Sequence, residues 1–564
     1  MKLMKEWKVI PWRKLERRVF KLQTRIFKAS YRGDVKAVRR LQKILMRSWS
    51  AKCLAVRRVT QDNQGKKTAG VDGIKSLTPK ERLHLVDLLK PSHKVKPTRR
   101  VWIPKSGSSE PRPLGIPTIT DRALQALVKA ALEPEWEAKF EPNSYGFRPG
   151  RACHDAIEAI FNGIALKAKY VLDADISKCF DQIDQKTLLA KLRTFPTLRR
   201  QIKAWLKSGV LDNGQWFPTS AGTPQGGVIS PLLANIALHG MEERIKQAFP
   251  RRTAGTGGYR QPPYLIRYAD DFVILHEDLT VVQQCQQIIS EWLAQLGLVL
   301  HPSKTQITHT FNAHDGKVGF DFLGFTVRQF PTGNYDTAHD TYGRPLGFKT
   351  LIQPSQKSIS RHQKKLKQVI HRHQASTQAQ LIDALNPVIT GWSNYFSTGV
   401  SSEVYSWLDH WLYRQLRIWA RHRHPRKNQR WIANKYWLID RGEGWRFAAV
   451  SADGYKRLAV HNHTAIKRHV KVQGSRSPFD ADWVYWSSRM GKHPQVNKRV
   501  ALLLKRQKGT CAHCCLFFKD RDLLEIDHVI PRSLGGKDEF NNLQLLHRHC
   551  HDVKSVNDGG LRCR

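Results

Sequence analysis

Two carboxylates stand side by side at Asp270 and Asp271, inside PYLIRYADDFVILHE (263–277). Leu265 and Ile266 precede them, and Phe272, Val273, Ile274 and Leu275 follow. The pattern reads as strand, tight turn, strand. Two anions at a turn between buried strands are costly unless a cation shares the site, and a divalent metal is the simplest candidate. Adjacent aspartates alone are common in surface turns. A second acidic strand, YVLDADISKCFDQID (170–184), makes the pair more informative, because alternation sets Val171, Asp173 and Asp175 on one face. Carboxylates converging from separate strands can hold two divalent ions for phosphoryl transfer. One ion then activates a hydroxyl, and the other holds a triphosphate and its leaving pyrophosphate.

A second chemistry lies near the C-terminus. Cys511-x-x-Cys514 and His547-x-x-Cys550 frame LLEIDHVIPRSLGGKDEFNNLQLL. Paired Cys and His at this spacing point to a tetrahedral zinc site. Cys515 adjoins Cys514 and His549 adjoins Cys550, so more than one ligand register is open. Between the pairs, Asp527 and His528 end an apolar strand. Asn542 precedes LQLL, and His551 follows Cys550. A neutral histidine beside one hard-metal site can activate water at a phosphodiester. A zinc knuckle that only binds DNA is the alternative. Of the nine cysteines, five lie after position 510 (Cys511, Cys514, Cys515, Cys550 and Cys563); Cys53, Cys153, Cys179 and Cys285 are scattered and read as ordinary thiols, not a disulfide scaffold.

These residues need several domains to position them. The chain has 564 residues, enough for three or four domains, and 40% hydrophobic residues supply sizeable cores. Lys and Arg number 94 against 47 Asp and Glu, a net charge of +47. Such a charge repels itself unless a polyanion shares the surface, and nucleic acid is the usual one. No apolar run approaches the ~18 residues of a membrane span, and MKLMKEWKVIPW has no apolar signal-peptide core. A soluble intracellular protein with no membrane partner is expected. Residues 1–94 read as a basic helical extension, with Leu15, Val19, Leu22 and Ile26 at helical spacing. Residues 95–350 are mixed α/β. Residues 351–440 are helical, basic and interleaved with aromatics, of which Trp407 and Trp411, with Leu412 and Leu416, are expected in a helix core. Residues 441–495 are irregular and aromatic, and 496–564 form a compact Cys/His module.

The motifs resemble one family in order. YADD (268–271) resembles the catalytic box of reverse transcriptases in the form typical of group II intron enzymes, and DISKCFDQI (175–183) resembles their first catalytic motif. The resemblance implies that Asp175, Asp270 and Asp271 hold two Mg²⁺ and that Phe180 screens the ribose 2′ position. VWIPKSGSSEPRPLGIPTITDRALQ (101–125) resembles the fingers strands, which gives Lys105 and Arg112 a triphosphate-binding role. TPQGGVISPLLANIAL (223–238) resembles the box under the nucleotide and template base, carried by Gln225 and by Gly226 with Gly227. GLVLHPSKTQI (297–307), with Lys304, and GFDFLGF (319–325) resemble the palm end and primer grip. GWSNYF (391–396) resembles a block of the maturase region, domain X, which follows the palm as the thumb. Residues 441–495 fall where the family has a DNA-binding segment.

The C-terminal module is similar to HNH endonucleases. That resemblance implies His528 as general base, Asp527 and His551 as ligands of one Mg²⁺ or Mn²⁺, Asn542 as a loop brace, and Cys511, Cys514, His547 and Cys550 as zinc ligands. Many members have Cys where this chain has His547. The implied fold is a multidomain right-hand polymerase, with α/β fingers and palm and a helical thumb, followed by a small ββα-metal zinc module. The implied protein uses dNTPs and binds group II intron RNA as a ribonucleoprotein. It acts on an RNA template with a DNA primer and nicks double-stranded target DNA. It would work in a bacterial or organellar cytoplasm, associated with the nucleoid, and the resemblance is compatible with a homodimer.

Overall fold

The computed structural model describes residues 6–104, 111–251, 261–333, 337–440, 444–451, 454–518 and 522–558. Lys105, an expected nucleotide-binding residue, lies outside the described residues. Among those described, no helix is long and apolar enough to cross a membrane.

The amphipathic stripe read from the N-terminal segment forms helix Trp12–Tyr31. Leu15, Val19 and Ile26 are buried and Leu22 is half-buried, while arginines and lysines cover the outer face. This helix packs with Val35–Arg47 and Trp49–Arg57 around the long helix Ile119–Glu137. A four-stranded sheet lies beside them, in the order Arg112–Ile116, Thr98–Ile103, Val210–Asp212, Gln215–Phe217.

The central sheet has the order Tyr264–Tyr268, Asp271–His276, Tyr170–Asp175, Gln306–His309, with every pairing antiparallel. Val171, Ile266, Val273 and Leu275 face one apolar cluster. Leu172, Leu265, Phe272 and Ile274 face another. Burial on both faces explains why the runs flanking the aspartate pair are continuously apolar instead of alternating.

Beyond the central sheet, Phe320–Phe322, Phe325–Pro331 and Phe348–Pro354 make a three-stranded sheet. Helices Gln356–Arg372, Gln378–Phe396 and Ser402–Arg423 follow. GWSNYF closes the second helix and clamps it to that sheet. Tyr395 and Phe396 pack on Phe325 at 5.5 and 4.8 Å, and the Tyr395 hydroxyl donates to Leu323 O at 2.8 Å. Trp392 stacks on His362. The last helix buries Tyr405, Leu408, Leu412, Leu416 and Trp419, a stripe at three- and four-residue steps. Trp407 falls off this stripe and is 49% exposed, against the sequence expectation. Trp411 is half-buried at its edge beneath Lys367. Strands Trp437–Asp440, Gly444–Ser451 and Gly454–Arg457 make one small sheet that seats Phe447 against Tyr436 and Trp437.

The reading of 441–495 as irregular is corrected: strands Gly444–Ser451 and Gly454–Arg457 and helix Trp483–Met490 lie within it, and the rest of 466–495 is tied down by point contacts. Asp155, in the first turn of helix Cys153–Ile164, is fully buried. It accepts from Val472 N at 2.8 Å and Arg489 Nη2 at 2.6 Å and lies 3.1 Å from His469 Nε2. Arg151 Nη2 donates to Gly474 O and Arg476 O. On the N-terminal helix, Phe20 packs on Phe479 and His493, and Arg13 donates to Val496 O. The chain then forms helix Lys498–Arg506, strands Leu524–His528 and Leu543–His547, and helix Arg548–Asn557.

Asp155→Ala would strand Arg489 and His469 beside a buried gap. Removing one partner of a buried ion pair costs about 3–5 kcal/mol. The variant is expected to melt at a lower temperature and to be cut by trypsin within 466–495 under conditions that leave the parent intact.

Candidate active centres and metal sites

The aspartate pair sits where the sequence pattern puts it. Tyr268 and Asp271 close the hairpin, and Ala269 and Asp270 form its two-residue turn. Ala269 takes φ 61°, the left-handed value that a tight hairpin turn requires. Asp271 is also the register partner of Asp175 on the neighbouring strand. The turn is held from behind by Arg267, which is 1% exposed. Its guanidinium donates to Ala269 O at 3.0 Å, Asn235 Oδ1 at 3.1 Å and Ser144 Oγ at 2.7 Å. Asn235 in turn donates to Gly146 O. Gly146 lies so close that a Cβ there would come within 2.3 Å of Ala269 N.

Asp175, Asp270 and Asp271 open into a cleft of about 950 Å³, lined also by Arg112, Phe180, Gln225 and Lys304. Burial, then Asp270, Asp175 and Asp173, push the Asp271 carboxyl up to about 7. Asp270 is raised chiefly by burial, with Asp175 adding to it. Asp173, which accepts from Gln306, is raised to about 6, again chiefly by burial. Lys304 forms an ion pair with Asp175. Hard oxygen donors under mutual repulsion are the donor set a divalent magnesium ion takes.

Phe180 follows Lys178, whose φ is 42°, and its carbonyl accepts from Thr223 N at 2.6 Å. It meets Phe147 edge-on at 6.1 Å. Arg112 starts its strand opposite Ile103 and is exposed to the cleft. The Gln225 carbonyl accepts from Gly115 N. Gly226 is not among the cleft-lining residues; it backs onto Gly115, where a Cβ would stand 2.8 Å from the carbonyl oxygen.

At the C-terminus, Cys511, Cys514, His547 and Cys550 bring their ligand atoms within 4.8 Å of one another. His547 Nδ1 lies 3.4 Å from Cys514 Sγ, and its Nε2 lies 3.3 Å from Asp522. A carboxylate behind a histidine fixes the ring and its tautomer, as at many metal sites. Burial would raise the Cys511 thiol, but backbone N–H groups of Cys514, His547 and His513 outweigh it and bring the thiol to about 7. Two sulfurs on a turn, a third on a helix and one imbricated histidine nitrogen fit tetrahedral zinc. Cys515 is exposed, and both it and His549 lie outside this cluster.

Asp527 and His528 end strand Leu524–His528. Asp527 Oδ2 accepts from Gln544 Nε2 at 2.9 Å and meets Lys554 Nζ at 3.1 Å, while Oδ1 lies 3.9 Å from His551 Nε2. Asn542 Oδ1 accepts from Ile530 N, and its Nδ2 donates to Ile530 O and Lys537 O. Its side chain thus spans the loop after His528, where a brace was expected.

Four family models match the chain in order. "N-terminal domain of reverse transcriptase" matches residues 7–89, and "Reverse transcriptase (RNA-dependent DNA polymerase)" matches 103–327. "Group II intron, maturase-specific domain" matches 359–437, and "HNH endonuclease" matches 511–556. Protein YkfC of Escherichia coli is 32% identical over 324 residues, covering 51% of this chain and 82% of YkfC. The group II intron-encoded protein LtrA of Lactococcus lactis is 29% identical over 578 residues, covering 87% of this chain and 91% of LtrA. The chain belongs to the group II intron reverse transcriptase and maturase family, with an HNH domain. It is a multifunctional intron protein: an RNA-directed DNA polymerase, a maturase and an endonuclease. The maturase domain implies intron RNA as a partner and the HNH domain implies DNA.

Within this reverse transcriptase, Arg267 and its partners Ser144, Asn235 and Gly146 were not singled out from the sequence. One signal was available: an arginine inside the apolar run LIRY of a strand buried on both faces needs a buried job.

The raised Asp271 carboxyl has a consequence for stability. A carboxyl with a folded value near 7 and an unfolded value near 3.9 holds its proton more tightly when folded. The metal-free fold is therefore penalised as pH rises from about 4 to about 7, and the penalty persists above that. Asp271→Asn is expected to melt higher than the parent at pH 8 in EDTA. The difference should vanish toward pH 4, as thermal melts across that range would read.

Proposed function

We propose that Asp175, Asp270 and Asp271 hold two Mg²⁺ ions and carry DNA synthesis on an RNA template from a DNA primer. The observation that supports this best is their opening into one cleft with Arg112, Phe180, Gln225 and Lys304. The ions would activate the primer 3′-hydroxyl and neutralise the triphosphate. Arg112, with Lys105, supplies positive charge to the dNTP phosphates. Phe180 fills the space that a ribose 2′-hydroxyl would need. Gln225 lies against the nucleotide, and Gly226 keeps its loop close to the strand at Gly115.

In this reading residues 95–350 are fingers and palm of a right hand, 351–440 are the thumb and maturase domain, and 1–94 extend the fingers. Residues 441–495 are a DNA-binding segment, and 496–564 are a ββα endonuclease with structural zinc on Cys511, Cys514, His547 and Cys550. His528 is the general base, and Asp527 with His551 holds one Mg²⁺ or Mn²⁺. Lys554 would shift from Asp527 as that ion enters. The protein binds the intron RNA, assists its splicing and stays with it as a ribonucleoprotein. The RNA reverse-splices into one DNA strand, the nuclease nicks the other, and the new 3′ end primes cDNA synthesis. Work in a nucleoid-associated bacterial or organellar cytoplasm, as monomer or homodimer, fits this cycle.

Primer extension on poly(rA)/oligo(dT) tests the polymerase. Asp270→Ala is expected to abolish it while intron RNA affinity, which rests on dispersed cations, changes little. Normal extension would refute the assignment. Phe180→Val should admit ribonucleotides more readily, and unchanged discrimination would move the gate to another residue. In a strand-specific nicking assay with the ribonucleoprotein, His528→Ala should lose second-strand cleavage and keep its zinc. Cys511→Ser should lose both, because structural zinc supplies much of a small module's folding energy.

A further inference from the structure

His528 has an unusual neighbour. Its Nε2 is buried and has no formed hydrogen bond, and Asp538 Oδ1 lies 3.4 Å away. Asp538 lies in the loop between the two strands and is itself held. Arg499 and Arg532 each approach its Oδ2 at 3.6 Å, which leaves Oδ1 toward the histidine. The loop carrying Asp538 is stiff. Asn542 ties Ile530 to Lys537, and Gly536 comes so near Ile530 O that a Cβ there would stand 1.9 Å from it. The histidine backbone is equally fixed, pairing in register with Leu543 and accepting from Lys554 Nζ at its carbonyl. Among the described residues, His528 Nδ1 has no hydrogen-bond partner. Asp527, one residue away, turns to Gln544, Lys554 and His551 instead. The two carboxylates therefore serve different groups.

We propose that Asp538 is the positioning residue of the nuclease centre. It takes the Nε2–H of His528, fixes the ring and its tautomer, and leaves Nδ1 as the nitrogen that receives the proton of the attacking water. This deepens the reading of His528 as general base and rests on it. In the step, the water oxygen bonds to phosphorus while its proton passes to Nδ1. The P–O3′ bond breaks, the 3′ oxygen leaves and takes a proton from solvent, and the imidazolium so formed lies against the Asp538 carboxylate. A base oriented by a third group is the arrangement on which activated nucleophiles generally depend. Asn542 acquires a second consequence, because the loop it spans is the loop that presents Asp538.

The test uses the full chain assembled with the intron RNA that encodes it, and a duplex spanning that intron's own insertion junction. Single-turnover nicking and DNA affinity are measured separately. Asp538→Ala is expected to slow nicking about 10- to 100-fold, the usual cost of removing an orienting outer partner, with DNA Kd, zinc content and primer extension unchanged. Asp538→Asn, of the same shape, should fall between, and Asp538→Glu should restore part of the rate. In a His528→Ala background, Asp538→Ala should bring no further loss, because it acts through the histidine. Parental nicking by Asp538→Ala would overturn the proposal. So would an equal loss on the His528→Ala background, or a defect confined to DNA affinity, which would make Asp538 only an anchor for Arg499 and Arg532. Parental nicking by His528→Ala alone would sink the general-base reading instead, and is read from its own arm.

Discussion

Three carboxylates that repel one another must stand together at one end of a buried sheet, and the rest of the polymerase half is arranged to keep them there. Asp175 and Asp271 are register partners, and Asp270 sits on the turn. Burial raises the cost of ionising them, so the protein needs cations in reach. Lys304 meets Asp175 from one side. Arg267 does a different task from below: it satisfies the turn's backbone and reaches two other segments at Asn235 and Ser144. A buried guanidinium held by three hydrogen bonds is rigid, and rigidity is what a two-residue turn carrying carboxylates lacks by itself.

The C-terminal centre repeats the theme with different parts. Lys554 lies on Asp527 as Lys304 lies on Asp175. In both places an ammonium stands against a carboxylate that a harder cation would claim, so neither site is left as a bare buried anion when the fold forms. A metal held by Cys511, Cys514, His547 and Cys550 would give that small module a second source of cohesion beyond the apolar cluster of Leu503, Leu504, Leu543, Leu545 and Leu546.

Much of this was legible in the sequence where chemistry is local. YADD and the two Cys/His pairs announce themselves by spacing, and the hairpin and the quartet form on those residues. The N-terminal stripe and the cores at Leu412 and Leu416 follow from helical period. The period was misapplied at Trp407, where an aromatic was taken for core although it stands between the buried rows at 405 and 408. Arg267 was missed because its partners lie far away along the chain and share no motif. Residues 466–495 resisted reading for another reason: apart from the short helix Trp483–Met490, their order comes from single contacts such as Asp155 with Arg489. Domain edges were equally hard to place, since a boundary at 350 or at 440 cuts through a strand or a sheet.

The tether formed by those contacts reaches further than its local stability. Because Asp155, Arg151 and Phe20 pin the chain just before the nuclease begins, the module starts from a fixed point on the polymerase body. In the proposed cycle that anchor would act as a ruler, setting the offset between the two DNA breaks by the protein's own dimensions.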